Sequence, residues 1–204
     1  MNSSRNKVLS RIYGHGRGWV FSKSDFIDEI SADSIDKAFS ELTKEGKIRR
    51  IARGLYEYPR YSELLQQDLS PDMDKVAHAY ARKFNWYIQP SGDTALNLLG
   101  LSTQVPGRYL YLSNGPNRSY EILGTPLEFK RTALKESGFK YGLSAVIVQA
   151  LKALGKERVT DEILQSIRKQ IDVKMCSKIL KDTKTTTTWI YELIKKMCKE
   201  ANDA

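Results

Sequence analysis

The sequence predicts an α+β protein, with a small N-terminal domain followed by a mixed α+β domain whose C-terminal part is helical. Three observations predict this class. Hydrophobic spacing within residues 1–60 changes between helical and strand-like over short segments. Residues 108–132 hold three β-prone runs between turn signals, and helical spacing dominates the residues after them. With 204 residues, 41% of them hydrophobic, the chain can form one or two domains.

The N-terminal segment begins with three predicted helices and a short strand. The first helix should end at Gly14 or Gly16, because glycine adopts left-handed backbone at little cost. The apolar run 19–21 predicts a strand, and a second helix should follow to about Ile30. The predicted inward residues of these two helices are Val8, Leu9 and Ile12, then Phe26, Ile27 and Ile30.

The third helix and the hairpin after it are the clearest segments. Ile35, Ala38, Phe39 and Leu42 lie at i, i+3, i+4 and i+7, and Gly46 closes the helix. Residues 47–59, KIRRIARGLYEYP, alternate around Arg53-Gly54 and predict a hairpin. This order of elements is that of a winged helix-turn-helix in residues 1–60, whose third helix would enter a DNA groove.

A polar connector at residues 61–70 predicts a linker to a second domain, residues 71–204. Ser70-Pro71 should open a helix with Phe84 on its apolar stripe, and Ser91 should cap a short helix after a strand at 86–89. Three strands are then expected, with turns at Asn114-Gly115 and Gly124. The residues after these three strands should be helical.

The net charge of +9 is unevenly distributed. Residues 1–60 carry an excess of four positive charges, residues 61–126 a deficit of one, and residues 127–204 an excess of six. Basic segments favour nucleic acid or another polyanion as a partner, because neutralised phosphates release condensed counterions.

No catalytic or metal-binding motif is visible. His15 and His78 lie outside any nucleophile or metal pattern, and Cys176 and Cys198 have no nearby histidine, so we expect free thiols, no metal, no cofactor and no enzyme activity. The glycines of GHGRGWVF precede a strand, whereas a phosphate loop follows one, so they should only turn the chain. No apolar stretch suggests secretion or membrane insertion, and a cytoplasmic protein is expected.

The predicted winged helix supplies the candidate DNA contacts. Polar residues on a recognition helix reach base edges, and basic residues of the wing contact phosphates. The candidates are Ser34, Lys37, Ser40 and Lys44 on the third helix, and Lys47, Arg49, Arg50 and Arg53 on the hairpin.

Three segments together resemble a known family. GRGWVFSKSDF, LTKEGKIRRIARGLYEYPRYS and, most specifically, IQPSGDTALNLLGLSTQVP are similar to the AbiEi-type antitoxins of type IV toxin-antitoxin systems. The resemblance covers roughly residues 5–155. It implies a winged helix that represses its own operon at inverted repeats in double-stranded DNA. It also implies a C-terminal domain that counters a nucleotidyltransferase-like toxin without a stable complex.

The resemblance also marks residues of the second domain. Gln89, Ser91, Asn97 and Thr103 would lie in the family-like motif, without individual roles. Separately, the basic C-terminal part suggests a second DNA contact, through Lys130, Arg131, Lys135 and Lys140. Two other interpretations stay open: a winged-helix module that mainly binds protein, and a nucleic-acid-modifying enzyme.

Overall fold

The computed structural model describes residues 3–104, 106–132 and 139–199. It is an α+β structure, as predicted. The helices are α1 (Ser3–His15), α2 (Ala32–Lys44), α3 (Met73–Phe84), α4 (Asp93–Leu98), α5 (Gly142–Leu154), α6 (Asp161–Arg168), α7 (Val173–Asp182) and α8 (Thr188–Lys199). The strands are β1 (Val20–Phe21), β2 (Arg49–Ala52), β3 (Leu55–Glu57), β4 (Tyr61–Ser62), β5 (Gln67–Asp68), β6 (Ile88–Pro90), β7 (Tyr109–Ser113), β8 (Arg118–Ile122) and β9 (Thr125–Arg131). Short 3-10 helices lie at Lys23–Asp25 and Lys156–Arg158.

The chain forms two compact units. The N-terminal unit comprises Met1–Trp86 with Tyr120–Leu127, and the C-terminal unit comprises Tyr87–Ser119 with Glu128–Ala204. Residues 61–70, predicted as a linker, carry β4 and β5, which pair antiparallel. None of the helices in the described ranges combines the length and apolarity needed to cross a bilayer.

The N-terminal unit contains the winged-helix arrangement. Its three-stranded sheet has the order β1-β3-β2, with β3 antiparallel to both neighbours. The central Glu57 is opposite Val20 on one side and Arg49 on the other. A bulge between Arg50 and Ala52 shifts the register just before the turn at Arg53-Gly54. The two strands β2 and β3 form the wing, which is the next element after α2 in the chain.

The predicted second helix is wrong in length and in one of its inward residues. It is a 3-10 helix, Lys23–Asp25, followed by turns, and Ser22 N donates to Asp25 Oδ2 at 2.8 Å. Phe26 and Ile30 are buried, but Ile27 is 55% exposed. Ile30 N donates to Phe26 O, so a single turn places positions i and i+4 inward and leaves the intervening residues in solvent.

The core of the N-terminal unit is built around aromatic rings. Phe21, Phe26 and Phe39 meet in edge-to-face contacts, with ring centroids 5.4 to 5.7 Å apart. The α2 stripe of Ile35, Ala38, Phe39 and Leu42 is buried, as its helical spacing predicted. This packing fixes α2 against β1 and leaves its opposite face in solvent.

Helix α3 belongs to the same unit and begins later than predicted. Its N-cap is Asp72, whose carboxylate accepts the backbone N–H groups of Asp74 at 3.0 Å and Lys75 at 3.4 Å. A carboxylate is the stronger acceptor here, so Pro71 lies before the helix. Phe84, predicted on the apolar stripe, is 41% exposed.

The remaining strands form a sheet of order β6-β7-β9-β8, with β6 antiparallel to β7. Both predicted turns, at Asn114-Gly115 and Gly124, lie between strands. Helix α4 has Gly92 as its N-cap, with no side-chain bond, so the predicted cap by Ser91 is wrong. Ser91 N instead donates to Leu110 O at 2.9 Å, which holds Ser91 beside β7. Helices α4 to α8 enclose an apolar core that includes Leu99, Ile167 and Ile194.

Candidate nucleic-acid interface

The solvent face of α2 carries the residues predicted to contact DNA bases. Lys37, Ser40 and Lys44 are exposed, and Ser34 is half-buried. Ser34 and Lys37 line a polar groove of 240 Å³ whose other wall includes Ser4 and Arg5 of α1. The face is not uniformly basic, because Asp36 on the same helix pairs with Lys23.

A salt-bridge cluster joins the end of α2 to α1. Arg5 Nη2 donates to both carboxylate oxygens of Glu45 at 2.7 Å, and Arg5 Nε lies 3.5 Å from Glu41. Lys47 Nζ reaches Glu45 at 2.8 Å. Hydrogen bonds from Lys47 and then Arg5 lower the pKa of Glu45, so the carboxylate stays ionised. Lys47, a predicted DNA contact, is thus already paired.

Arg50 and Arg53 lie exposed on the wing. Arg50 makes one long hydrogen bond, from Nε to Ala52 O at 3.4 Å. Arg53 occupies the turn, where Gly54 has a φ of +72° that favours glycine. Their guanidinium groups are therefore positioned to meet an external anion.

Arg49, the last of the four predicted wing contacts to be placed, is directed inward. Its Nη2 and Nε lie 2.6 and 2.7 Å from Glu57 Oε2, and it also donates to Leu69 O. The Glu57 side chain is fully buried, and burial raises the pKa of its carboxyl despite the hydrogen bond from Arg49. This ion pair ties β2 to β3 and to the segment after β5.

Sequence reasoning missed the role of Glu57, although a signal was present. Glu57 lies two residues after the buried Leu55 in β3, so both side chains share one face and the hairpin pattern places a carboxylate inward. A carboxylate at such a position requires a cation or a hydrogen-bond donor. Arg49 is directly opposite it in the antiparallel register.

The segment GHGRG turns the chain, as predicted, and Arg17 has a structural contact. Gly16 and Gly18 have φ values of +79° and +83°. Gly18 N donates to Tyr58 O at 2.6 Å, and Arg17 Nη1 donates to Pro59 O at 2.9 Å with its guanidinium 4.8 Å from the Tyr58 ring centroid. These contacts hold the end of the wing against the start of β1.

The two histidines lie apart from any catalytic grouping in the described residues. The His15 ring stacks on Trp19 with centroids 3.9 Å apart. His78 is an exposed residue of α3, 3.7 Å from Asp74 one turn earlier. Both arrangements are local surface contacts.

The family-like motif in the C-terminal unit mostly serves folding. Gln89 is buried, and Ser91 is half-buried. Asn97 Nδ2 donates to Gln104 O at 3.3 Å and lies 3.5 Å from Ser102 O, so it closes the loop after α4. Thr94, a motif residue outside the predicted set, accepts a hydrogen bond from Leu110 N at 2.8 Å and joins α4 to β7. Thr103 alone among the four motif residues is exposed.

Two of the cations predicted for a second DNA contact share a cleft in the C-terminal unit. Lys130 and Arg131, both exposed, line a cavity of 480 Å³ together with Arg118. Asn117 Oδ1 accepts Arg131 N at 2.7 Å and fixes the backbone there. Lys140 lies elsewhere, with its Nζ 6.0 Å from the Tyr141 ring centroid, and Lys135 falls outside the described residues.

Among the described residues, no group of three or more histidine, cysteine or acidic side chains could hold a metal ion. Cys176 and Cys198 are free and buried. Burial, with a smaller contribution from Cys176, raises the pKa of Cys198 to about 12, so this thiol stays protonated at neutral pH.

Comparison with known proteins identifies a family. Three solved chains match this structure. One is the crystal structure of RV2827C protein from Mycobacterium tuberculosis, at 14% identity and a TM-score of 0.44, covering 97% of this chain and 76% of that one. No curated protein matches the sequence. The model of DUF6088, a family of unknown function, matches residues 7–180, which is most of the chain, and the chain therefore belongs to that family.

Proposed function

We propose that this chain is a DNA-binding autorepressor with type IV antitoxin activity. The observation that carries the DNA-binding part is the winged helix in which α2 presents Lys37, Ser40 and Lys44 to solvent and the adjoining wing exposes Arg50 and Arg53. A recognition helix with small polar and basic residues suits the major groove, and an arginine-bearing wing suits phosphates and the minor groove.

The cations of this surface divide into two groups. Within the part of the chain that the structure describes, Lys37, Lys44 and Arg53 have no ion-pair partner, whereas Lys47 and Arg49 are paired with Glu45 and Glu57. An unpaired exposed cation can neutralise a phosphate without first breaking an internal contact. We therefore assign DNA contact to Lys37, Lys44, Arg50 and Arg53, and a supporting role to Lys47 and Arg49.

The antitoxin part of the proposal rests on the sequence resemblance. It assigns the C-terminal unit the role of opposing a co-encoded nucleotidyltransferase-like toxin without a stable complex, in the cytoplasm. Autorepression would occur at inverted repeats in the promoter of the operon. No cofactor or metal is required in this scheme.

The cleft formed by Arg118, Lys130 and Arg131 is proposed as a second phosphate contact. Three cations and one carboxylate, Glu128, line this cavity, and Glu128 is paired with Arg108 at 3.5 Å, so the net positive charge of the lining attracts a polyanion. Replacing Lys130 and Arg131 with alanine should weaken operator binding. It should also lower the slope of log affinity against log salt concentration by an amount that corresponds to up to two phosphate contacts. Unchanged affinity would remove this contact from the proposal.

The experiment that tests the DNA-binding function is fluorescence anisotropy with a duplex from upstream of the chain's own gene. Binding is measured across a salt series, beside a scrambled duplex of the same length. We expect selective binding to the upstream duplex, with a steep salt slope. The Arg50→Ala/Arg53→Ala variant should bind more weakly. Its salt slope should be lower by the amount that about two phosphate contacts contribute.

A matched control removes the same charge elsewhere. Lys181 and Lys184 are exposed residues of the C-terminal unit, so Lys181→Ala/Lys184→Ala lowers the net charge equally without touching the wing. This control should keep operator affinity. An equal loss of operator affinity in both double variants would mean that the interaction is non-specific charge attraction.

One observation favours the protein-binding alternative. Leu64 and Leu65, in the turn between β4 and β5, are 93% and 57% exposed. Exposed apolar residues in one turn suit a protein contact. Equal weak binding to the upstream and scrambled duplexes would favour this alternative over the repressor.

A further inference from the structure

Lys83, near the end of α3, contacts the turn of the wing. Its Nζ donates to Arg53 O at 3.3 Å. The same ammonium group lies so close to Gly54 that a Cβ at that position would be 2.8 Å from Nζ. Lys83 therefore touches both residues of the turn between β2 and β3.

Lys83 is partly buried, between the wing turn and an aromatic ring of its own helix. Burial, and then the nearby charge of Arg53, lower the pKa of Lys83. Its Nζ also lies 5.3 Å from the Phe84 ring centroid. No carboxylate among the described residues forms an ion pair with Lys83, so the Arg53 carbonyl is its identified hydrogen-bond acceptor.

Beside its contact with Lys83, the wing turn borders a cavity. This cavity of 480 Å³ is lined by Arg53 and Gly54 of the turn and by the aromatic residues Tyr80, Phe84 and Tyr120. Space of this size would let the turn move toward α3 if the Lys83 contact were lost. The hydrogen bond to Arg53 O is thus the identified restraint on this side of the turn.

We propose that Lys83 is a positioning residue for DNA recognition. It fixes the carbonyl of Arg53, and through it the wing turn, in the orientation from which the Arg53 side chain meets DNA. Helix α3, which follows the winged helix in sequence, then contributes to DNA recognition by holding the wing turn. This inference rests on the proposed function, since it concerns how the same surface is held.

Limited trypsin digestion tests the restraint without DNA, because Arg53 is itself a cleavage site. Lys83→Met removes the donor and keeps the length of the side chain. We expect the bond after Arg53 to be cut about fivefold faster in this variant, the effect of one lost hydrogen bond on local opening. Lys75→Met, an exposed residue of the same helix, is the control and should be cut at the wild-type rate. An unchanged rate in Lys83→Met would overturn the proposal.

A double-mutant cycle with operator DNA then tests the positioning role. Lys83→Met should weaken binding about fivefold in the wild-type background and have no further effect when Arg53 is alanine. Independent losses in the two backgrounds would mean that Lys83 contacts phosphate itself, and would overturn the proposal. Lys83→Arg, which keeps a donor, should bind within about twofold of wild type and guards against a folding defect. If the wild-type chain shows no selective binding, the proposed function fails, while the digestion still decides whether Lys83 holds the turn.

Discussion

The ion pair inside the wing yields the sharpest prediction about stability. Arg49→Ala removes the cation beside Glu57, whose side chain is fully buried. Glu57 Oε1 has no hydrogen-bond partner among the described residues, so Oε2 and its contact with Arg49 carry the stabilisation of this carboxylate. The variant leaves the buried carboxylate without its hydrogen-bonded cation, with only the longer-range charge of Arg60 acting on it.

The expected cost can be estimated from buried ion pairs. Removing one partner of a fully buried pair costs about 3 to 5 kcal/mol. The Arg49 side chain is 24% exposed, so water can reach part of the vacated space and the lower end, about 3 kcal/mol, applies. Arg50→Ala, one residue away and exposed, should change stability by less than about 0.5 kcal/mol.

Urea unfolding followed by circular dichroism measures both variants at pH 7.5 and at pH 5. The deficit of Arg49→Ala should shrink at pH 5, since without the guanidinium the pKa of Glu57 rises further and protonation relieves the buried charge. Arg49→Met/Glu57→Leu should recover most of the lost stability, because it removes both charges together. Equal losses for Arg49→Ala and Arg50→Ala would refute the inward placement of Arg49.

Three further predictions concern buried or capping groups. The raised pKa of Glu57 means that the folded state favours its protonated form. The stability gained in this way is fully present below the ordinary pKa of 4.5 and is lost as pH rises through the folded-state pKa. Wild-type stability should therefore fall more steeply than that of Glu57→Gln above pH 4.5, as measured by thermal unfolding across a pH series. Cys198, with a pKa near 12, should resist a thiol reagent at pH 8 in the folded protein and react on addition of urea; fast reaction of the native protein would contradict its burial. Asp72→Ala should cost about 1 kcal/mol, since two N–H groups of α3 lose their acceptor, whereas exposed Asp93→Ala should cost less in the same thermal unfolding assay.

The sequence predicted those elements in which one periodic signal dominates. The stripe from Ile35 to Leu42 predicted α2, and the alternation around Arg53-Gly54 predicted the wing, because each buries a regular apolar face. Helix starts were predicted less well where several capping residues compete. Asp72 caps α3 two residues after Ser70, which lies outside the helix.

The sequence predicted which residue types form the candidate site, but not which residues each side chain contacts. Composition identifies a cluster of basic residues on the hairpin, yet adjacent Arg49 and Arg50 have different roles. Alternation along β2 places Arg49 on the side of the buried Ile51 and Arg50 in solvent. The long-range contact of Lys83 with Arg53 spans 30 residues and follows from no local pattern.

The placement of the family-like motif decides which of its residues can test the proposed antitoxin role. Three of its four marked residues lie within the fold: Gln89 is buried, Ser91 is half-buried with its backbone N–H bonded to Leu110, and Asn97 binds the backbone of the loop that follows α4. Substituting any of them perturbs folding before it perturbs a partner, so loss of toxin neutralisation in such a variant would not locate a surface. In this chain the motif builds α4 against β7, with Thr94 joining the two elements. Exposed Thr103 is the member whose substitution can report on recognition, because it changes the surface and leaves these backbone contacts intact.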